Sequence, residues 1–471
     1  HADAGLPDPL WSRGLGDVYK RQSSYIADTM NVDVSGPTAE ARLMAGSVKS
    51  ADAIVVIPAR SVEFSGVNTL CSFTESVMSD ASLHISTPLE RWDMDRLGYA
   101  EGVNTAKLPR FATFVENLFM FEPQPFGMSP SESVGTDPQH RKLLQLTMEC
   151  LTDVPVKSED VCGVYIGSMN PYEYANLVSK LGLFGTYAST GNGMSFMSGK
   201  VSYIFGLVGP SICLDTACSS SLVAGHLAKS SIISGESNMS VVAGANAIVL
   251  FENTLLLHGL GALSLDGRCK TFDQEADGYG RGEGFAVMVF HGSVNELKDM
   301  DGIVVGSGVN HDGRSSGLTV PYGPAQQALI GEAVYESGLA SLDYISTHGT
   351  GTSLGDPIEM SAIGQVLKKM QLDSSVVGAG AIKTLFGHTE STAGLAGLLL
   401  SSVVLSRSVN PPMKIRNINP YVADCLKDWV HGSIAMQNLP EMVRVAGSSS
   451  FGMSGLNAHL VSALHRETAD G

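Results

Sequence analysis

Between Ile212 and Leu222 the chain reads ICLDTACSSSL, and within it Cys218 has the surroundings of a nucleophile. A short apolar run, Ile212 to Leu214, stops at Asp215, and Ser219 to Ser234 then alternates apolar and polar residues. Leu222, Val223 and Leu227 fall about a turn apart, which predicts a helix with one buried stripe. Cys218 therefore stands where a strand gives way to a helix. The first N–H groups of a helix are unpaired and carry partial positive charge, so the position predicts a stabilised thiolate with a lowered pKa. Ala217, Ser219, Ser220 and Ser221 are small enough to let a substrate reach the sulfur. A lone cysteine is commonly just a small buried residue. Here the junction and the small neighbours favour chemistry.

Three more stretches place polar groups on dense, small-residue turns: THGTGTSLGDPIE from Thr347, KTLFGHTESTAGLAG from Lys383 and SSSFGMSGLNAH from Ser448. His348 and His388 each follow a strand-like run. One histidine in such a turn is commonly a capped structural group. Two of them, in a chain that also carries Cys218, predict imidazoles that donate hydrogen bonds or shuttle protons beside a cysteine nucleophile. No HExxH and no paired Cys/His spacing points to a metal.

The elements that must position these groups come from a chain of 471 residues, long enough for two or three domain-sized cores. A hydrophobic content of 44% with 16% charged residues describes an ordinary globular protein. The net charge of −17 excludes a chain built mainly to grip nucleic acid or an anionic membrane. The seven cysteines are scattered and show no CxxC, which suits free thiols in a reducing compartment. The longest apolar stretch, Leu395 to Leu405, contains two serines and is too short to span a bilayer. Strands are predicted at 53–58, 161–166, 240–243, 303–309, 344–346 and 376–382. Helices are predicted from Pro138 past Met148, over 219–234 and 325–337, and from the turn at 386–388 through Leu405. The segment 264–284 reads as a loop too rich in glycine and charge to be core. Alternating strands and helices predict an α/β fold with largely parallel sheets. The Cys218 and His388 segments both run from a strand through small residues into an Ala/Gly/Leu helix, which suggests an internal duplication. Residues 1–49 read as a poorly structured tail, or a cloning or transcript scar.

DTACSSSLVAG, DGRCKTFDQEADGYGRGEG, NHDGRSSGLT, THGTGTSLGDPIE and GHTESTAGLAG together resemble a β-ketoacyl synthase, nearest to the ketosynthases of type I polyketide synthases. The resemblance covers about 110–462 and reaches loosely back to about 50; IPARSVEFSGVNTL matches the family's opening poorly. It implies a thiolase-type fold of two similar halves in α-β-α-β-α layers. One half, 50–297, would carry the cysteine and the other, 298–471, both histidines. It also implies a homodimer, for which the run at 240–243 would supply the edge strand.

By the same resemblance Cys218 accepts an acyl chain, while His348 and His388 favour decarboxylation of a malonyl thioester. N–H groups of Cys218 and Met453 hold the oxyanion, and Lys383 helps orient the second histidine or is a salt-bridged structural lysine. Asp356 and Glu359 anchor their turn. Met453 and Leu456 stand where the family usually has Phe and Thr, so the gate of the acyl pocket differs. No tightly bound cofactor is implied. Substrates arrive on the phosphopantetheine of an acyl carrier protein or on CoA, in the cytoplasm or a plastid, for a fatty acid or a polyketide product. The last motif lies close to the end of the chain, which would be a free-standing synthase or an excised domain. A non-catalytic chain-length partner would lack Cys218. A degradative thiolase would need a second cysteine, and Cys425 lacks the glycine context for it. A cysteine hydrolase would leave the two histidines idle. Of the seven thiols, Cys218 is expected to react first.

Overall fold

The computed structural model describes residues 55–464, except 80–81, 101–106, 170–171, 183–184, 293–301, 340, 371–377, 409–410, 412, 428–432 and 435–442. The predicted tail at 1–49 and the boundary at 297/298 lie outside the described residues. The elements framing the site are, in chain order, β1 (Val55–Phe64), α1 (Pro138–Asp153), β2 (Cys162–Ser168), β3 (Ser211–Leu214) and α2 (Ser220–Ser234). There follow β4 (Met239–Asn246), β5 (Gly284–His291), β6 (Gly302–His311), α3 (Gly323–Ser337), β7 (Tyr344–Ser346) and α4 (Gly355–Met370). The last are β8 (Gly378–Gly380), α5 (Ala393–Arg407), β9 (Ser433–Ile434), β10 (Val445–Phe451) and β11 (Leu456–Leu464).

These strands hydrogen-bond in the order β9-β8-β7-β10-β11-β6-β1-β5-β4-β2-β3. Outward from the β6–β1 junction, the two sides repeat one plan. In each, the first strand of the half lies innermost, followed by its last, its next-to-last, its second and its third; the short β9 is added beyond. The inner pairs β1–β5, β5–β4, β6–β11 and β11–β10 are antiparallel. The outer pairs β4–β2, β2–β3, β10–β7 and β7–β8 are parallel. The duplication suggested by the two glycine-rich segments is thus present in the strand order, and the fold is α/β as expected, but the sheet is mixed and not largely parallel: every pair from β10 through the centre to β4 is antiparallel.

Helices α2 and α5 occupy equivalent places in the two halves and pack on each other at the centre. α2 lies on β2 and β4, α5 on β7 and β10, while α1 and α3 cover the outer faces. Their approach is close: a Cβ built on Gly394 would lie 2.6 Å from the Leu222 Cβ, and the Leu395 N–H donates to Ser221 Oγ at 3.1 Å. Apolar residues from both halves, among them Leu222, Phe386 and Leu395, form one cluster. Each such burial contributes about 1.5–3 kcal/mol.

Three expectations change. α2 has no single buried stripe: Ser220 to Gly225, Ala228, Lys229 and Ser231 are all buried, because the helix is covered from both sides. Its buried Lys229 pairs with Glu336 of α3 at 2.9 Å. Residues 240–243 form no edge; β4 is interior, and among the described residues the edge strand of that half is β3, where Ile212 is 40% exposed. The segment 264–284 has no regular strand or helix over most of its length, yet it buries Cys269, Phe272, Tyr279, Arg281 and Glu283. Its charges are tolerated because they are bonded. Glu283 accepts from the N–H groups of Val115 and Ile248 at 2.8 Å and from Arg91 Nη2 at 2.9 Å. Among the described residues no helix is long and apolar enough to cross a membrane.

Candidate active site

The chain leaves β3 at Leu214 and turns through Ala217, whose φ of 57° is in the left-handed region. The Asp215 carboxylate steadies the turn by accepting the Ala217 N–H at 2.8 Å. Cys218 emerges just before Ser219, the cap of α2. Ser450 Oγ of β10 donates to the Cys218 carbonyl at 2.7 Å and ties this turn to the other half. The half-buried thiol receives the backbone N–H groups of Met453 and of Cys218 itself.

His388 meets the sulfur directly, with Nε2 3.0 Å from Cys218 Sγ. Its Nδ1 accepts the Glu390 N–H at 3.0 Å. A neutral imidazole with Nδ1 so occupied carries its proton on Nε2, and that N–H points at the sulfur. His348 repeats the arrangement: its Nδ1 accepts the Phe451 N–H at 3.3 Å, leaving Nε2–H to donate. The two rings stand 5.6 Å apart and nearly perpendicular, at 84°. Burial, reinforced by the Lys383 charge, holds both histidines well below the usual imidazole pKa, so both are neutral donors at pH 7.

Lys383 is fully buried and donates through Nζ to the backbone carbonyl of His348 at 2.6 Å. The contact is therefore to the first histidine and not to the second, and it is a carbonyl bond rather than a salt bridge. Burial lowers the Lys383 pKa. The Glu359 carboxylate accepts the N–H groups of His348 and Gly349 at 2.7 and 2.9 Å. Asp356 accepts those of Phe272 and Gly351 at 2.8 and 3.1 Å. Burial raises Glu359 to about 7 and Asp356 to about 6. Met453 packs against the apolar cluster of Leu257, Leu263, Cys269 and Tyr279.

The expected lowering of the Cys218 pKa does not occur. Burial pushes the thiol up to about 11, with the Glu390 charge adding to the rise; Lys383 and the two N–H groups oppose it. Desolvation thus outweighs the Lys383 charge and the two N–H groups. Cys162, Cys213 and Cys269 rise further, to about 12, and Cys150 higher still, whereas Cys71 is exposed. Cys218 is therefore less suppressed than these four, but it is not the most accessible thiol. Cys425 donates to the Pro357 carbonyl and packs with the apolar cluster around Ile363 and Val445, which excludes Cys218.

Three residues that the sequence reading passed over lie beside these groups. Arg281 and Glu390 form a buried bidentate ion pair, and Tyr279 packs edge-on to His388 with ring centroids 4.9 Å apart. The available signal was a charge of each sign inside small-residue motifs, GYGRGEG and GHTES.

The model of the β-ketoacyl synthase N-terminal domain matches residues 52–293, and that of the C-terminal domain matches 302–415. The chain is 36% identical over 450 residues to a phenolphthiocerol/phthiocerol polyketide synthase of Mycobacterium tuberculosis, covering 89% of this chain and 20% of that protein. It is 34% identical over 483 residues to lovastatin nonaketide synthase mokA of Monascus pilosus, covering 96% of this chain and 15% of that protein. The chain spans a fifth or less of the length of these two relatives. The oxazolomycin ketosynthase domain OzmH KS7 of Streptomyces albus JA3453 superposes with a TM-score of 0.80 at 29% identity, covering 89% of this chain and 76% of that one. Matches to both halves of the family, on a fold shared with a solved ketosynthase, show that the chain belongs to the β-ketoacyl synthase family, among the ketosynthase domains of polyketide synthases.

Proposed function

We propose that Cys218 carries an acyl chain as a thioester and that His348 and His388 stabilise the malonyl-derived enolate that extends it. In the first half-reaction Cys218 Sγ attacks an incoming acyl thioester. The N–H groups of Cys218 and Met453 hold the oxyanion, and the thiol proton leaves on the departing pantetheine sulfur. In the second, a malonyl thioester places its carbonyl oxygen between the two Nε2–H groups. The bond to the carboxylate breaks, carbon dioxide departs, and the electron pair settles on that oxygen. The enolate carbon then attacks the acyl-Cys218 carbonyl, and collapse expels the Cys218 thiolate. Donors already aimed at the oxygen where charge develops supply the rate.

The observation that carries this reading is the occupied Nδ1 on each histidine, which makes both rings Nε2–H donors and neither a ready base at that atom. Lys383 and Glu359 position His348 from its backbone. Acyl and malonyl groups would arrive on the phosphopantetheine of an acyl carrier protein or on CoA. A second copy of the chain would pair along the free β3 edge, beside the exposed Tyr203 and Val208. Intact-protein mass after incubation with an acyl thioester tests the first step. The reading requires an adduct on Cys218 that is absent in Cys218→Ala.

A further inference from the structure

His388 can donate through Nε2 because the backbone N–H of Glu390 occupies Nδ1. Glu390 reaches that position with a φ of 47°, in the left-handed region that side-chain-bearing residues enter at a cost. What holds it there is its own side chain. The Glu390 carboxylate accepts from Arg281 Nε at 2.6 Å and Nη2 at 3.0 Å, and Arg281 Nη1 donates to Thr254 Oγ1 at 2.9 Å. Arg281 and Glu390 side chains are 3% and 1% exposed.

The backbone on either side of Arg281 grips His388 as well. The His388 N–H donates to the Gly280 carbonyl at 2.7 Å, and the Gly282 N–H donates to the His388 carbonyl at 2.9 Å. One short segment therefore clamps the main chain of His388 and, through the Arg281 fork, the turn that caps its ring. Neither charge serves as a donor to the reacting oxygen in the steps above.

We propose that the Arg281–Glu390 pair is a positioning device: it fixes the Glu390 turn so that His388 is held as the Nε2–H tautomer facing Cys218. The proposal rests on reading His388 as the enolate donor. A pair that only stabilised the fold could be replaced by apolar side chains with no effect on the ring. A pair that positions the ring cannot, because the left-handed turn loses its anchor. The Glu390 charge also bears on the sulfur, in the direction that keeps the thiol protonated.

The test uses the whole chain with two variants. Arg281→Met/Glu390→Leu removes both charges at similar volume, a change that buried ion pairs commonly tolerate in stability. Glu390→Gln keeps the size of the side chain and an acceptor for Arg281, so it serves if the double variant does not fold. With 15N-labelled histidine, the wild-type His388 ring is expected to show a single tautomer protonated on Nε2. In the double variant the two nitrogen signals should move toward a mixture, with Glu390→Gln between the two. Carbon dioxide release from malonyl thioester should fall by about 10²-fold in the folded double variant with KM unchanged, as for a catalytic group misplaced by of order 1 Å. Alkylation of Cys218 in Glu390→Gln should begin at lower pH than in wild type. A folded variant that keeps the single tautomer, or releases carbon dioxide at the wild-type rate, overturns the proposal. If the wild type releases none while the tautomer still shifts, the positioning role stands and the reading of the reaction fails.

Discussion

Gly394 tests whether the two central helices hold Cys218 and His388 in register. A Cβ at this position would stand 2.6 Å from Leu222 Cβ and 2.8 Å from the Leu222 backbone nitrogen. Ordinary carbon contacts need about 3.5–4 Å, so Gly394→Ala must part α2 from α5 by of order 1 Å. Overpacking of this kind costs about 1–3 kcal/mol, which outweighs the better helix propensity of alanine, about 1 kcal/mol. α2 begins beside Cys218, and α5 follows the His388 turn within a few residues. The displacement therefore falls on the Cys218–His388 contact, where about 1 Å can cost about 10²-fold in rate. Gly331→Ala on α3 is the control, because nothing lies within 4 Å of its added Cβ. Urea unfolding should show Gly394→Ala with a lowered midpoint and an unchanged m-value, and Gly331→Ala at or above wild type. Carbon dioxide release should fall only in the first. If Gly394→Ala matches Gly331→Ala in both assays, the close approach of α2 and α5 does not set the site.

Two further predictions concern the thiol and the free edge. The Cys218 pKa lies above the ordinary thiol value, at about 11, so little thiolate exists at neutral pH. In a Cys71→Ser background, iodoacetamide alkylation of Cys218 should climb about tenfold per pH unit from 7 to 10; a plateau near pH 7 would show a lowered pKa instead. Ile212→Lys places a charge on the β3 edge and should shift the chain from dimer to monomer in light scattering at micromolar concentration. An unchanged dimer would move the interface elsewhere, and a monomeric wild type would remove it.

The residues proposed to do the chemistry were legible as candidates because each sits at a junction that local rules describe: strand, small residues, helix for Cys218, and strand, dense turn for His348. Proline at the start of α1 marked a helix end in the same local way. What could not be read was non-local. Arg281 and Glu390 are 109 residues apart and become a pair only when the segment 264–284 folds inward. The stripe predicted on α2 failed because a helix in a central layer has partners on two sides, and sequence periodicity reports one. The edge was misplaced because the order of strands in a sheet differs from their order in the chain. The Cys218 pKa was misjudged for a related reason: the junction is local, but the desolvation that raises the thiol is summed over everything packed around the sulfur.

The central claim is that the sulfur and the imidazoles divide the work, and one paired assay tests it. Carbon dioxide release from malonyl thioester is measured for Cys218→Ala and His388→Ala, with intact-protein mass read in parallel after incubation with an acyl thioester. Cys218→Ala should take no acyl group and still release carbon dioxide. His388→Ala should be acylated and lose about 10²-fold or more in decarboxylation, the cost of one aimed donor. Wild-type carbon dioxide release by His388→Ala would contradict the account, because the ring 3.0 Å from the sulfur would then be structural.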